Sequence, residues 1–268
     1  MSTRPGMKVA RGARSSRLFQ VLARAGFAVN GLVHTIIGLV AIGVAAGTGG
    51  QADHSGALAQ VAASPGGTLI LWVGTIGLAA LGLWLLFGAF LALGSHSKRR
   101  VARFLVEAGK GAAYLLLAGT ALTFARGGSS NSESDVAVLS VKLIAAPGGV
   151  LVLWVLALLV CGVGVYFVAK GTRRRFIEDI TLPGAKRGRA IIAVGVFGYV
   201  AKGVALGLSG LLLAAAAFRL DPSQAAGLDG SLKVLAALPA GQLFLVVIGL
   251  GFMAYGAYCF VRARIAQL

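Results

Sequence analysis

Long apolar runs separated by short polar loops dominate this chain. Six of them, at roughly 22–46, 67–93, 104–125, 147–169, 190–218 and 240–261, are each long enough as helices to cross about 30 Å of hydrocarbon. The pattern predicts an all-α polytopic membrane protein with six transmembrane helices. The runs use more than half of the sequence, so no stretch remains for a soluble domain with its own core. Every second loop carries a shorter mixed segment. Asp53-His54-Ser55 leads one that ends at Ser64-Pro65-Gly66-Gly67, Glu133 and Asp135 precede one that ends at Pro147-Gly148-Gly149, and Asp229 precedes one that ends at Pro239-Ala240-Gly241. Each predicts a short helix, too short to span, lying at the outer interface with Asp53, Asp135 or Asp229 as its N-cap. Each proline is expected to open the span that follows, where its missing N–H does no harm.

These devices recur at fixed offsets. Pro65, Pro147 and Pro239 stand 82 and 92 residues apart, and the same offsets relate Trp72, Trp154 and Val246, then Gly82, Gly164 and Gly256, then Trp84, Tyr166 and Tyr258. Many independent matches of this kind mark an internal repeat. Two spans per unit make successive units enter the membrane in the same direction, which implies three parallel two-helix repeats related by a pseudo-threefold axis along the membrane normal. The expected division is a disordered basic tail at 1–17, then repeats at 18–103, 104–188 and 189–268. Trp84, Tyr166 and Tyr258 read as aromatic residues at the cytoplasmic interface. Gly203-Val204-Ala205-Leu206-Gly207 is a small-xxx-small element, suited to packing within the chain or to dimerisation.

The first helix of each repeat carries a polar stripe. Asn30 and His34 lie one turn apart in the first, Glu107, Lys110 and Tyr114 follow the same spacing in the second, and Tyr199 and Lys202 in the third. Gly198-Tyr199-Val200-Ala201-Lys202-Gly203 near the start of a helix, then an Asp, a Leu-rich short helix and a Pro-Gly before the next helix, three times in tandem, resembles a known family. It is the group of uncharacterised bacterial, mainly actinobacterial, membrane proteins gathered as domain of unknown function 1206. The resemblance covers essentially residues 18–264 and implies a six-helix membrane protein with a threefold repeat. It supplies no activity, substrate or catalytic residue. Asn30 stands where the other two repeats carry lysine, and Leu206 where they carry His34 and Tyr114.

Composition agrees with the membrane reading: of 268 residues 57% are hydrophobic and only 12% charged. A formal charge of +17 first suggests nucleic acid, but the placement of the 25 Lys and Arg argues otherwise. They crowd the N-terminal segment, the loops at 98–103 and 170–189, and Arg262 and Arg264, whereas the alternate loops hold only Arg126, Lys142, Arg219 and Lys233. This is the positive-inside signal. It predicts a multi-pass protein of the bacterial inner (cytoplasmic) membrane with both termini cytoplasmic. The expected partners are membrane lipids with anionic head groups on the cytoplasmic side, with a membrane-protein partner or homo-oligomer left open and nucleic acid excluded. The basic start followed by an apolar run resembles a signal peptide, but its length and its recurrence read as a retained span. Cys161 and Cys259 occupy unrelated repeat positions inside spans and read as small packing residues.

Lysine within an apolar run is costly, since a charge at the bilayer centre costs a few kcal/mol unless it reaches the interface or a partner. Asn30, His34, Glu107, Lys110, Tyr114, Tyr199 and Lys202 are therefore the candidate polar intramembrane site. Gathered about the pseudo-axis, their donors match oxygen acceptors and fit an anion or a lipid phosphate. The alternative for Lys110 is to snorkel and pair with Glu107. Neither a Ser-His-Asp constellation, a phosphate loop, a haem motif nor a carboxylate pair occurs in the spans, so no enzyme, metal or cofactor is expected. Two functional readings follow: a non-enzymatic site or pathway for a small anion or anionic head group, and an accessory or scaffold subunit of a larger membrane complex that packs through its glycine-rich faces.

Overall fold

The computed structural model describes residues 17–93, 100–181 and 183–266. The tail expected at 1–17 lies outside these apart from Arg17, which already begins a helix, and so do Lys98 and Arg99 of one basic loop. The described residues contain long helices, short helices and turns, and no strand. Six helices are long and apolar enough to cross a membrane: α1 (Arg17–Ala45), α3 (Gly67–Leu93), α4 (Arg100–Ala125), α6 (Gly149–Thr172), α7 (Ala185–Arg219) and α9 (Gly241–Ile265). In hydrocarbon each backbone N–H and C=O must find its partner inside the segment, and a continuous apolar helix meets that demand. The chain is thus an all-helical multi-pass membrane protein. Three short helices lie where the mixed segments place them: α2 (His54–Ala63), α5 (Ser132–Ala145) and α8 (Leu228–Ala236). Two 3-10 turns, Arg175–Asp179 and Pro222–Gln224, complete the order.

The turn between each short helix and the next span is built the same way three times. Ser64, Ala146 and Leu238 accept from the backbone N–H of Gly67, Gly149 and Gly241 at 2.8–3.0 Å, closing a four-residue turn with proline at its second position. The third position takes a positive φ: 75° at Gly66, 72° at Gly148 and 60° at Ala240. The prolines therefore precede the spans by two residues instead of opening them. A rigid proline followed by a left-handed residue reverses the chain in the smallest space. The glycine after the turn is equally constrained, because a Cβ on Gly67, Gly149 or Gly241 would strike the carbonyl oxygen of Val61, Leu143 or Leu235.

Helix packing repeats as well. Gly82 of α3 faces Gly111 of α4, Gly164 of α6 faces Gly203 of α7, and Gly256 of α9 faces Gly31 of α1, each with a missing Cβ's space taken by the opposing backbone carbonyl. The last helix of one repeat thus meets the first helix of the next, and the third contact joins repeat three to repeat one. In lipid no hydrophobic force joins helices, so the close approach that glycine allows supplies dispersion contact instead. Gly203 and Gly207 both lie against Gly164, so the small-xxx-small element serves packing within the chain.

Two compact units emerge. One gathers the chain up to Asn30, Leu58–Ser129 and Cys259 onward; the other gathers Gly31–Ala57 and Ser130–Tyr258. The first has a core of Ala23, Phe27, Leu81, Trp84, Leu85 and Ala266, with Tyr114 and Ala263 packed on it. The Arg262 guanidinium sits 4.4 Å from the centre of the Phe27 ring. The second unit is centred on aromatic rings of α6, α7 and α9 and holds the polar centre described next. Equivalent repeat positions differ in burial: Trp84 and Tyr258 are core residues, and Tyr166 alone of that set is exposed. The expected interfacial role therefore fails for Trp84 and Tyr258, whose rings are needed to fill protein.

Candidate functional site

Lys202 stands at the middle of α7, with about 25 Å of helix on either side. A lysine side chain is far too short to reach either helix end from there, so its surroundings must accommodate the ammonium. They do so in the second unit. Lys202 Nζ lies 2.8 Å from His34 Nε2, 4.3 Å from the centre of the Tyr255 ring and 4.9 Å from that of Phe167. The ammonium donates, His34 Nε2 accepts, and the ring proton of His34 is thereby assigned to Nδ1. Electron-rich ring faces supply further attraction in a low dielectric. His34 is completely buried and packs against Tyr255, Phe252 and the ring of His54, whose centroid lies 5.3 Å away. Lys202 itself keeps part of its surface accessible.

His54 is the first residue of α2. Burial, and then the Lys202 charge, push it down to about 4, so it is neutral near pH 7. It marks the border between the basic centre and an acidic network that ties the three short helices together at their N-termini. Asp53 Oδ1 accepts from Gly56 N at 2.8 Å, a cap of the expected kind. Asp229 instead reaches across repeats: its Oδ1 accepts from Ala52 N at 2.7 Å, and its Oδ2 pairs with Lys233 at 2.6 Å. Ser55 and Ser132 share a hydrogen bond, and Gln51 donates to Asn131. Asn131 takes the N-cap of α5 through Glu133 N and Ser134 N, and Gly227 that of α8. The capping roles expected of Asp135 and Asp229 are therefore corrected. Asp135 lies exposed in the first turn of α5, one turn too late to reach the free N–H groups.

Asp53 and Glu133 of this network titrate high. Burial and the Asp229 charge raise Asp53 against the pull of the Gly56 N–H, and burial with the Asp229 carboxylate raises Glu133 against the opposing pull of Lys233. Lys233 is raised, chiefly by its bond to Asp229. Each shift follows from grouping charges where water is scarce.

On the other side of Lys202, an aromatic column leads toward the arginine-rich end. Tyr199, one turn before Lys202, is buried and packs on Tyr255, Tyr258 and Phe176 at 5.1–5.4 Å between ring centres. The Tyr258 hydroxyl donates to the Phe176 carbonyl at 3.1 Å. Lys170, counted with the loop charges from the sequence, is instead buried and pairs with Asp179 at 2.6 Å.

The remaining candidates sit in the first unit. Lys110 pairs with Glu107 at 3.0 Å, and their side chains keep 31% and 26% of their surface exposed. Asn30 is buried and donates to Cys259 Sγ at 3.3 Å. Tyr114 packs against the Phe27 and Trp84 cluster. His34, Tyr199 and Lys202 are thus brought into one neighbourhood, and Glu107 with Lys110 into another. Sequence reasoning missed His54, Tyr255 and Phe167. His54 was visible only inside a capping triplet, and Tyr255 only as the partner of Tyr258 three residues on along one helix face. Among the described residues no group of three His, Cys, Asp or Glu could hold a metal ion.

Three tandem stretches, 25–92, 107–174 and 197–266, match the family described as Domain of Unknown Function (DUF1206). An "Uncharacterized protein YxxB" of Bacillus subtilis (strain 168) is 29% identical over 248 residues, covering 89% of this chain and 88% of that protein. No solved structure matches.

Proposed function

The chain belongs to the DUF1206 family, and we propose that it is a non-enzymatic membrane protein that holds a small anion, free or as a lipid head group, at the centre formed by Lys202, His34 and His54. One observation carries this reading: basic side chains of two different repeats meet 2.8 Å apart at mid-span, where α7 brings Lys202 against α1. A lysine at that depth is a functional feature by default. The nearby carboxylates are engaged elsewhere, Asp53 with a helix N-terminus and Asp229 with Ala52 N and Lys233. Lys202 and His34 face one another, and an anion is a ligand that N–H donors suit. The distribution of Lys and Arg supports placing both termini in the cytoplasm.

The test is thermal stability of the purified chain in a neutral detergent, with chloride, nitrate, inorganic phosphate or phosphatidylglycerol added at constant ionic strength. A ligand that binds the native state at a hundred times its dissociation constant stabilises it by about 2.7 kcal/mol. The expected result is a rise in melting temperature with at least one of these that Lys202→Met abolishes. Phosphatidylglycerol acting alone would assign the head group as the ligand. The same rise in Lys202→Met, or no rise in the parent, would refute the reading.

A separate observation favours a scaffold role as the second reading. Only 17% of the span is buried in α4 and in α6, against 50% in α1, α3 and α9. Gly109, Gly119 and Gly162 on these helices face open space. Small residues on exposed membrane helices suit close approach by another helix. Mild-detergent purification is then expected to retain a stoichiometric partner or a second copy, which Gly119→Leu or Gly162→Leu releases; a lone chain under all conditions would exclude it.

A further inference from the structure

An open groove of about 670 Å³ lies at the arginine-rich end of the second unit, and its lining changes character along its length. It is lined by Arg174, which follows α6, by Arg189 near the start of α7, and by Ile192, Val196, Phe197 and Val200 further along α7. Arg189 to Val200 spans about 16 Å of helix, close to half of the ~30 Å hydrocarbon core. We infer that this groove seats one anionic phospholipid, its phosphate between the Arg174 and Arg189 guanidiniums and one acyl chain along the apolar wall of α7.

Charge complementarity carries the assignment. Both guanidiniums are exposed, and among the described residues neither has an ion-pair partner, although Lys170 close by is neutralised by Asp179. Arginine presents a planar fork of donors that matches two phosphate oxygens at once, and it stays charged at any pH the membrane meets. Basic pockets beside membrane helices are the usual seats of anionic head groups. The apolar wall decides between a lipid and free phosphate, since it has contacts to offer only to a molecule with a tail. Phe197, 41% exposed, adds a flat aromatic face to that wall.

The backbone at Arg174 bears on the choice of test variant. Its φ of 54° and ψ of 23° place it in the left-handed region, where glycine or asparagine is the easier residue. Arg174 follows the C-cap of α6, a place where helices commonly turn left-handed, and the turn sets its side chain beside the start of α7. The site is independent of the Lys202 centre: none of its lining residues takes part in that cluster.

The experiment uses the full chain in micelles containing equal amounts of phosphatidylglycerol and phosphatidylcholine, with lipid retention read by native mass spectrometry. The parent is expected to keep one phosphatidylglycerol per chain with at least about tenfold preference over phosphatidylcholine, about 1.4 kcal/mol. Arg174→Gly with Arg189→Gln should remove that preference. Arg174→Gly alone should weaken it without lowering the melting temperature, because glycine fits the left-handed backbone. Ala193→Trp, which fills the groove while leaving both arginines, should also release the lipid. Arg103→Gln with Arg264→Gln removes the same charge elsewhere and should change nothing. The inference is overturned if the double arginine variant keeps the preference, if the charge-matched control loses it equally, or if a second copy of the chain replaces the lipid adduct.

Discussion

Lys110 and Lys202 occupy matching positions in consecutive repeats, each followed by a glycine that abuts a glycine of the preceding helix, yet they end in different chemistry. Lys110 is answered within its own helix by Glu107, three residues earlier and, like it, partly exposed. Tyr199 stands in that place for Lys202 and Phe27 for Asn30. An aromatic ring one turn below cannot neutralise an ammonium, but it can wall it in. Lys202 therefore gives its hydrogen bond to His34 of another repeat and has Tyr255 and Phe167 as its surroundings. The lesson is that the repeat fixes where the lysine stands along its helix, and the residue three places earlier fixes whether it turns to solvent or to the interior.

If the scaffold is shared and only the surroundings differ, glycine variants should act alike where lysine variants act apart. Gly111→Val and Gly203→Val each force side-chain atoms onto a facing carbonyl, of Gly82 and Gly164, and overpacking of this kind costs about 1–3 kcal/mol. Similar losses in thermal unfolding are expected; a loss at one glycine alone would break the comparison.

Next in size is the pH response of the Lys202 neighbourhood. His54 titrates at about 4 when folded against 6.5 when unfolded, so the unfolded chain binds more protons between these values. The stability it contributes is complete above pH 6.5 and is lost as the pH falls toward 4, by at most about 1.4 kcal/mol per pH unit and less in proportion to its partial exposure. Asp53 and Glu133, raised above their usual values, act oppositely, since protonation favours their folded state. Subtracting the melting profile of His54→Gln isolates the histidine: the parent should lose more stability than the variant between pH 6.5 and 4. Parallel profiles would show that His54 is not held neutral by the fold.

Smaller effects probe the repeat itself. Ala240 adopts the left-handed turn conformation that Gly66 and Gly148 supply in the other repeats. Ala240→Gly should raise stability by about 0.5 kcal/mol, strain relief partly offset by unfolded-chain entropy. Unchanged or reduced stability would mean that the turns are not equivalent. Smallest of all, Glu107→Gln should cost only about 0.2–0.5 kcal/mol and less at high salt, as a partly exposed ion pair one turn apart does; a larger, salt-insensitive loss would place Lys110 in a buried site.

Most of the fold was legible because it rests on local signals. Apolar run length gave the six spans, offsets gave the repeat, and mixed segments gave α2, α5 and α8. The prolines marked the turns, although a proline two residues ahead of a helix and one at its first position look alike in sequence. The site was half legible. His34, Tyr199 and Lys202 stood out as polar groups in apolar runs, and Glu107 with Lys110 as a local pair. That His34 meets Lys202 depends on packing between residues 168 positions apart, which no spacing rule encodes. His54 and Asp229 were hidden for a related reason: their residue types suit helix starts, so a capping role accounts for them until Ala52 N and the His34 ring are seen beside them.

The central claim, that Lys202 and not Lys110 is the ligand-facing cation, is tested most directly by the side-chain nitrogen resonances of lysine. The chain is labelled with 15N at lysine Nζ, Lys110 and Lys202 are assigned from their Met variants, and the anion or lipid that raises the melting temperature is titrated in. A saturable change at Lys202 with Lys110 unmoved is the predicted result. A change at Lys110 alone, or equal drift of both with ionic strength, would contradict it.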